Sequence, residues 1–289
     1  MNTDKWILKN TTSLSGKRVA ISGSTGGIGR ELCRHLAGLS ASLVMIDRNE
    51  AKSLALAEEL KAEFGGLKTE FVKADMSDIE SVKEATDRLV QMNIDYLILN
   101  AGAYSIPRYT TDFGYDNVFT INFISPYYMA RRLLPNIKDR GGKIVAVGSI
   151  AHNYSKIDID DIDFSTRKQA SLVYGNAKRY LTYSLFALDG ESVSVAHPGI
   201  CFTGITNHYP PLIFALIKHP MKVIFMSPRR ACLSILSAML SDCGSGEWIG
   251  PRLFDVWGLP KKKPLHTATP SEAAKIAEIA ENIYQNVNK

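Results

Sequence analysis

Cysteine is scarce in this chain and poorly spaced. Four occur, Cys33, Cys201, Cys232 and Cys243, and no two stand at the separation of a metal site or a redox dithiol. No metal is expected, and the thiols read as buried and free in a reducing compartment. Long apolar runs are missing too. The most apolar stretch, 212–226, is broken by Lys218, His219, Pro220 and Lys222, too short and too charged to span a bilayer. The opening residues MNTDKWILKN hold no apolar core of signal-peptide length, so the expectation is a cytoplasmic protein without a transmembrane segment. There is no arginine-rich arm and no aromatic-basic alternation, which excludes nucleic acid as an expected partner. Charge of one sign is not dominant: 34 Lys and Arg against 29 Asp and Glu leave +5. The only basic run, Lys261-Lys262-Lys263, reads as a solvated turn between two prolines, with contact to anionic lipid as the alternative.

What is present is alternation. Short β-branched runs predict strands at Arg18–Ser22, Leu43–Ile46, Glu70–Val72, Tyr96–Leu99, Lys143–Val147 and Ser192–Ala196. Between them helical spacing predicts Gly27–Leu39, Ala51–Phe64, Ile79–Met92, Gly114–Ile137 and Ala170–Leu188, and near the end Ser271–Asn286 with Ser271 as its cap. Apolar strands between helices imply an α/β fold: one doubly wound parallel sheet of Rossmann type, covered on both faces. At 289 residues and 45% hydrophobic, the chain reads as a single domain 1–289. Its cofactor-binding half spans about 15–150 and its catalytic and substrate half about 150–289.

The first strand runs into Gly23-Ser24-Thr25-Gly26-Gly27-Ile28-Gly29 and then a helix. Such a turn lets backbone approach a pyrophosphate, and the helix start offers free N–H groups and a positive dipole end. Asp47 ends the second strand eighteen residues after Gly29, placed to accept from adenosine ribose hydroxyls, or alternatively to cap the next helix. It would repel a 2′-phosphate, whereas Arg48 beside it would attract one. Thr25, rather than a basic residue, stands in the glycine turn. NAD(H) is therefore the preferred cofactor, with NADP(H) as the alternative.

Tyr174 and Lys178 stand at i and i+4 on a predicted helix, sharing one face, so that an ammonium would lower the phenol's pKa toward neutrality. Ser149 closes the fifth strand at the carboxyl edge, where ligands bind in such sheets. Asn122 interrupts an apolar helical run as a structural amide or part of a proton relay. His152 is a substrate contact or, the preferred reading, a loop cap.

These residues together resemble the short-chain dehydrogenase/reductase family. The glycines at 23, 27 and 29 follow its pattern, with Ser22 where Thr is usual, and Asn100-Ala101-Gly102 is similar to its turn after the fourth strand. Asp75-Met76 resembles the pair that brackets the adenine, and Pro198-Gly199 with Thr203 the segment that holds the nicotinamide amide and pyrophosphate. The resemblance implies that Tyr174 is the acid/base and that Lys178 also binds the nicotinamide ribose. It further implies that Ser149 positions substrate, that Asn122 holds a water linking Lys178 to solvent, and that the protein is a homo-oligomer. The gap of 25 residues from Ser149 to Tyr174 and the Ser149-Ile150-Ala151-His152 segment resemble the retinol dehydrogenase-like branch.

The resemblance implies that the region after Pro198 forms an apolar substrate lid, with Phe202, Ile205, Tyr209, Phe214 and Ile217 among its residues; the alternative is that this surface packs as core or against a second subunit. A small hydrophobic substrate, a lipophilic secondary alcohol or ketone such as a steroid or retinoid, is expected. Lys218, His219 and Lys222 interleave with it, which leaves shallow membrane contact open. The alternatives are a cofactor-sensing regulatory protein without turnover, and a sugar-nucleotide epimerase, whose glycine turn is spaced differently.

Overall fold

The computed structural model describes residues 3–201, 226–242 and 246–289. A helix, α1 (Thr3–Asn10), precedes β1 (Arg18–Ser22). There follow α2 (Gly27–Gly38), β2 (Ser42–Asp47), α3 (Glu50–Glu63), β3 (Thr69–Lys73), α4 (Ile79–Val90) and β4 (Tyr96–Leu99). A short helical turn (Asn117–Phe119), a π-helical turn (Thr120–Ile124) and α5 (Ser125–Asp139) lead to β5 (Lys143–Val147). After a 3₁₀ turn (Ile150–Asn153) come α6 (Ala170–Leu188) and β6 (Val193–Ala196). Beyond residue 226 stand α7 (Pro228–Leu240), β7 (Glu247–Leu253), β8 (Trp257–Pro264) and α8 (Pro270–Val287).

The strands form one sheet in the order β3-β2-β1-β4-β5-β6-β7-β8, parallel except for the antiparallel edge strand β8. Side chains alternate between its faces. Val19 and Ile21 of β1 pack with Leu32 and Leu36 of α2, whereas Ala20 joins Val44, Ile46 and Phe123 on the opposite face. Both faces are covered, which is why these strands are apolar throughout. The chain leaves β1 toward β2 and β3, then returns to β4 on the other side of β1. That reversal opens a crevice outside the carboxyl ends of β1 and β4.

Several expectations need correction. The helix expected over 114–137 starts at Asn117, where Asp116 accepts from the Val118 and Phe119 N–H groups, and a π-turn interrupts it. Ser271 does not cap α8: Thr269 does, its hydroxyl accepting from Glu272 N–H at 3.2 Å with Pro270 behind it. Lys261-Lys262-Lys263 is no turn but the middle of β8, opposite Gly250, Ile249 and Trp248. An edge strand tolerates its flanking prolines, and lysines there block further strand pairing. Helices α1 and α7 and strand β7 were not anticipated. Cys33 and Cys232 are buried and Cys201 is half-buried, all free; Cys243, Thr203 and the lid residues 202–225 lie outside the described residues.

Candidate active site

The glycine turn is shaped by close backbone packing. Gly23 has a left-handed backbone (φ 67°), and a Cβ on Gly29 would lie 2.1 Å from the Gly23 carbonyl oxygen. No side chain caps α2, because Gly26 occupies its N-cap. The turn is tied to β4 by two residues. The Asn100 amide donates to the carbonyls of Ser22 (3.0 Å) and Gly23 (2.9 Å), and the Ser22 hydroxyl accepts from the N–H groups of Asn100 and Ala101 at 3.1 Å. Ser22, in the place where Thr is usual, thus does the hydroxyl's work.

Asp47 is buried, and its carboxylate is taken up by the turn itself. It accepts from the Ser24 hydroxyl, from the Thr25 N–H and hydroxyl at 3.3 Å each, and from Ser53 at 3.1 Å. Ser24, expected to meet the cofactor, is fully buried and serves Asp47 instead. The cap of α3 is Asn49, accepting from Lys52 N–H, so the helix-cap alternative for Asp47 is not what the structure holds. Arg48 is exposed. Asp75 accepts from the Ser77 N–H and hydroxyl at 2.9 and 2.7 Å, which sets the Asp75-Met76 bend.

Gly23, Thr25, Gly27, Ile28, Gly29, Asp47, Arg48, Asp75, Met76 and Asn100–Gly102 converge on one cleft of about 650 Å³. Its wall also includes Lys52, Tyr104, Ile106 and Ile121, which the sequence did not single out. Tyr104 marks the catalytic end, its ring edge-on to Tyr174 at 5.3 Å. Tyr104 follows Gly102 by two residues, but no spacing rule pointed to it.

At that end Tyr174 is half-buried and Lys178 is buried, one turn apart on α6. Burial pushes the Tyr174 phenol up to about 12, and the Ser149 hydroxyl beside it draws it partly back. Burial brings the Lys178 ammonium down to about 8, its Nζ donating to the Val147 carbonyl at 2.9 Å. The expected lowering of the phenol by Lys178 is not what the structure holds: burial raises it, and the lowering comes from the Ser149 hydroxyl. Ser149 also accepts from Ala151 N–H at 3.2 Å, opening the 3₁₀ turn.

Asn122 lies in the π-turn, where such irregularities often mark function. Its amide donates to the carbonyls of Ala103 and Val118 at 2.8 Å each and accepts from Ala103 N–H at 3.2 Å. The side chain is spent on backbone, holding 101–103 beside Lys178. His152 is buried, one ring nitrogen on the Ser149 carbonyl at 2.6 Å and its ring edge-to-face with Trp248, so it caps the loop and is not part of the described cleft wall. Its own carbonyl accepts from Arg179, whose guanidinium is gripped by both oxygens of Glu272 at 2.7 Å. Helix α8 is thereby fastened to the turn that carries Ser149. Gly199 is left-handed (φ 87°) and packs against Pro251 and Met226, away from the described cleft wall.

The residues present fit a dinucleotide. The space against Gly29 admits no Cβ, so backbone approaches closely, and the uncapped start of α2 faces the cleft, whose wall residue Tyr104 meets the Tyr174 ring. Gly23–Gly29 would hold the pyrophosphate, Arg48 and Lys52 would border its adenosine end, and Lys178 would meet the nicotinamide end. A parallel sheet with this turn, and with tyrosine and lysine one helical turn apart, defines a nicotinamide-dependent oxidoreductase.

Comparison with known proteins places the chain further. The short chain dehydrogenase family model matches residues 17–159. An uncharacterized oxidoreductase of Schizosaccharomyces pombe is 29% identical over 88% of this chain and 81% of its own length. Human retinol dehydrogenase 13 is 24% identical over 91% of this chain and 82% of its own. In fold, a solved protein from Mycobacterium paratuberculosis superposes with a TM-score of 0.73 at 23% identity, covering 96% of both chains. These matches support a place for the chain in the short-chain dehydrogenase/reductase family, with relatives in its retinol dehydrogenase-like branch.

Proposed function

We propose that the protein moves a hydride between a nicotinamide dinucleotide and a lipophilic secondary alcohol or ketone. One observation carries the reading: Tyr174 stands beside Ser149, with Lys178 buried one turn further along α6, and Tyr104 of the cleft wall packs against the Tyr174 ring. The Tyr174 hydroxyl gives a proton to the substrate oxygen on reduction and takes it on oxidation. Ser149 holds that oxygen, and Lys178 reaches both the phenol and the nicotinamide ribose. The bound dinucleotide supplies the hydride donor or acceptor. Ile106, Ile121 and Tyr104 give the described catalytic end an apolar wall. The apolar composition of 200–217 and the retinol named for one relative support a lipophilic substrate. NAD(H) is preferred because Asp47 puts negative charge at the adenosine end, while Arg48 and Lys52 let NADP(H) in.

The test is a cofactor-oxidation screen of retinoids, steroids and quinones, with NADH and NADPH in parallel, on wild type and Tyr174→Phe. Removal of the acid/base costs roughly 10²–10⁴-fold in turnover while cofactor still binds. Turnover of Tyr174→Phe within about threefold of wild type, far less than that loss, refutes the mechanism.

A further inference from the structure

The β7–β8 turn presents exposed apolar side chains. Phe254 is 92% exposed, Leu253 45% and Trp257 40%. Exposed large apolar groups gathered at one turn mark an interaction surface. The backbone there is unusual. Phe254 (φ 52°) and Asp255 (φ 58°) are consecutive left-handed residues, a conformation that a bulky aromatic seldom adopts. The turn holds it because Asp255 pairs with Lys263 across the hairpin, and the result is a phenyl ring aimed into solvent.

The surroundings are cationic. Arg252 adjoins the tip and is exposed, Lys261 is exposed as the fifth residue of β8, and the Arg230 guanidinium lies 4.3 Å from the centre of the Trp257 ring. Among the described residues Arg252 and Lys261 enter no ion pair, and Asp255 is the only acid in 251–258. Aromatic and aliphatic groups ringed by Lys and Arg fit the interface of an anionic bilayer, where rings enter the headgroup layer and cations meet phosphate. A second copy of the chain fits less well, because the adjoining sheet edge is guarded by Lys261, Lys262 and Lys263 and by Pro260 and Pro264.

Position adds meaning. Strand β7 runs parallel to β6, so Leu253 emerges at the same edge of the sheet as Ser149 at the end of β5. The Val256 carbonyl accepts from Ile200 N–H at 3.4 Å, which sets the turn beside the segment leading from Pro198 into the apolar region. No helix among the described residues is long and apolar enough to cross a membrane.

We propose that the β7–β8 turn docks the protein on anionic phospholipid, Phe254 and Leu253 entering the headgroup region, with the active-site edge turned toward the membrane. Entry of a lipophilic substrate from the lipid rests on the functional reading above; the docking does not.

The experiment is vesicle co-flotation of the full chain, with phosphatidylcholine alone and with phosphatidylcholine containing phosphatidylserine. Wild type, Phe254→Asp and Arg252→Glu are compared at low and high salt. Wild type floats with the anionic vesicles only, and salt weakens it. Phe254→Asp lowers partitioning about tenfold or more, and Arg252→Glu about fivefold or more. Calorimetric NADH titration of each variant stays at the wild-type value, which certifies the fold without reference to any substrate. Failure of wild type to float with anionic vesicles overturns the proposal, as does Phe254→Asp floating equally well. A wild-type oligomer in sedimentation that Phe254→Asp dissociates assigns the patch to a second copy and overturns it too.

Discussion

Replacing Asp47 by Asn separates two roles that one carboxylate holds. In the structure it accepts from Ser24, Ser53 and the Thr25 N–H and hydroxyl, so it fastens the glycine turn to the end of β2. It also borders the cleft where Arg48 and Lys52 stand. Asn keeps one acceptor oxygen and the side chain's shape but removes the charge. Hydrogen bonds to a charged acceptor contribute about 1.5–3 kcal/mol each, and Asn retains part of that, so a stability loss of about 1–3 kcal/mol is expected. For cofactor choice, two unit charges 4 Å apart interact by about 4 kcal/mol at an effective dielectric constant of 20. The three hydroxyl donors spread the Asp47 charge, and Arg48 and Lys52 offset it, which leaves roughly 1.4–2.8 kcal/mol, or one to two decades. Asp47→Asn therefore moves the ratio of kcat/KM for NADPH over NADH upward by about one to two decades. Arg48→Ala moves it down. Steady-state kinetics with both cofactors measures the ratio, and urea unfolding measures the stability. A ratio unchanged within about twofold, a small fraction of one decade, would show that the charge on Asp47 is not felt by a 2′-phosphate. A ratio that shifts with no loss of stability would show that the four hydrogen bonds contribute nothing net.

Two further outcomes follow from burial and close packing. Lys178 carries a cost: its folded pKa of about 8 lies below the ordinary 10.5, so protonation opposes folding below that range and stability rises with pH between the two values. Lys178→Met therefore abolishes turnover yet stabilises the fold at pH 7, by up to about 3 kcal/mol at 1.36 kcal/mol per unit; a melt showing clear destabilisation would contradict this. Gly29→Ala places a Cβ 2.1 Å from the Gly23 carbonyl, so both cofactors lose at least about tenfold in affinity. Unchanged titrations on folded protein would mean that the turn relaxes without loss.

The sheet and the helix that carries Tyr174 and Lys178 were legible because burial on both faces writes itself as apolar runs. Strands β1, β4 and β5 and helix α6 stand at the expected bounds. The C-terminal third was less legible. Gly250 and Pro251 interrupt β7, and Pro260 with three lysines disguises β8, since an edge strand tolerates what a central one does not. Helix α7 had a readable start in Ser227 followed by Pro228, the cap and first-turn signal, but its approach lies in a stretch without periodicity. In the site, the residue types were legible and their partners were not. Asp47 stood where a ribose acceptor belongs, but the spacing to Ser53, one turn into α3, also lets that hydroxyl reach it. Asn122 was noticed as an oddity in an apolar run, whereas the π-turn that aims it at Ala103 has no sequence signature.

That π-turn fixes where the chain can change length. Thr120–Ile124 carries one residue more per turn than a regular helix would, and the surplus lets Phe119 and Phe123 stay in the core while Asn122 faces Ala103. Deleting a single residue there would restore ordinary helical register and rotate what precedes it by about 100° relative to α5. Asn122 would swing off the 101–103 backbone and Phe119 out of its aromatic cluster together. The helix beside the active site is locked at its present count of residues.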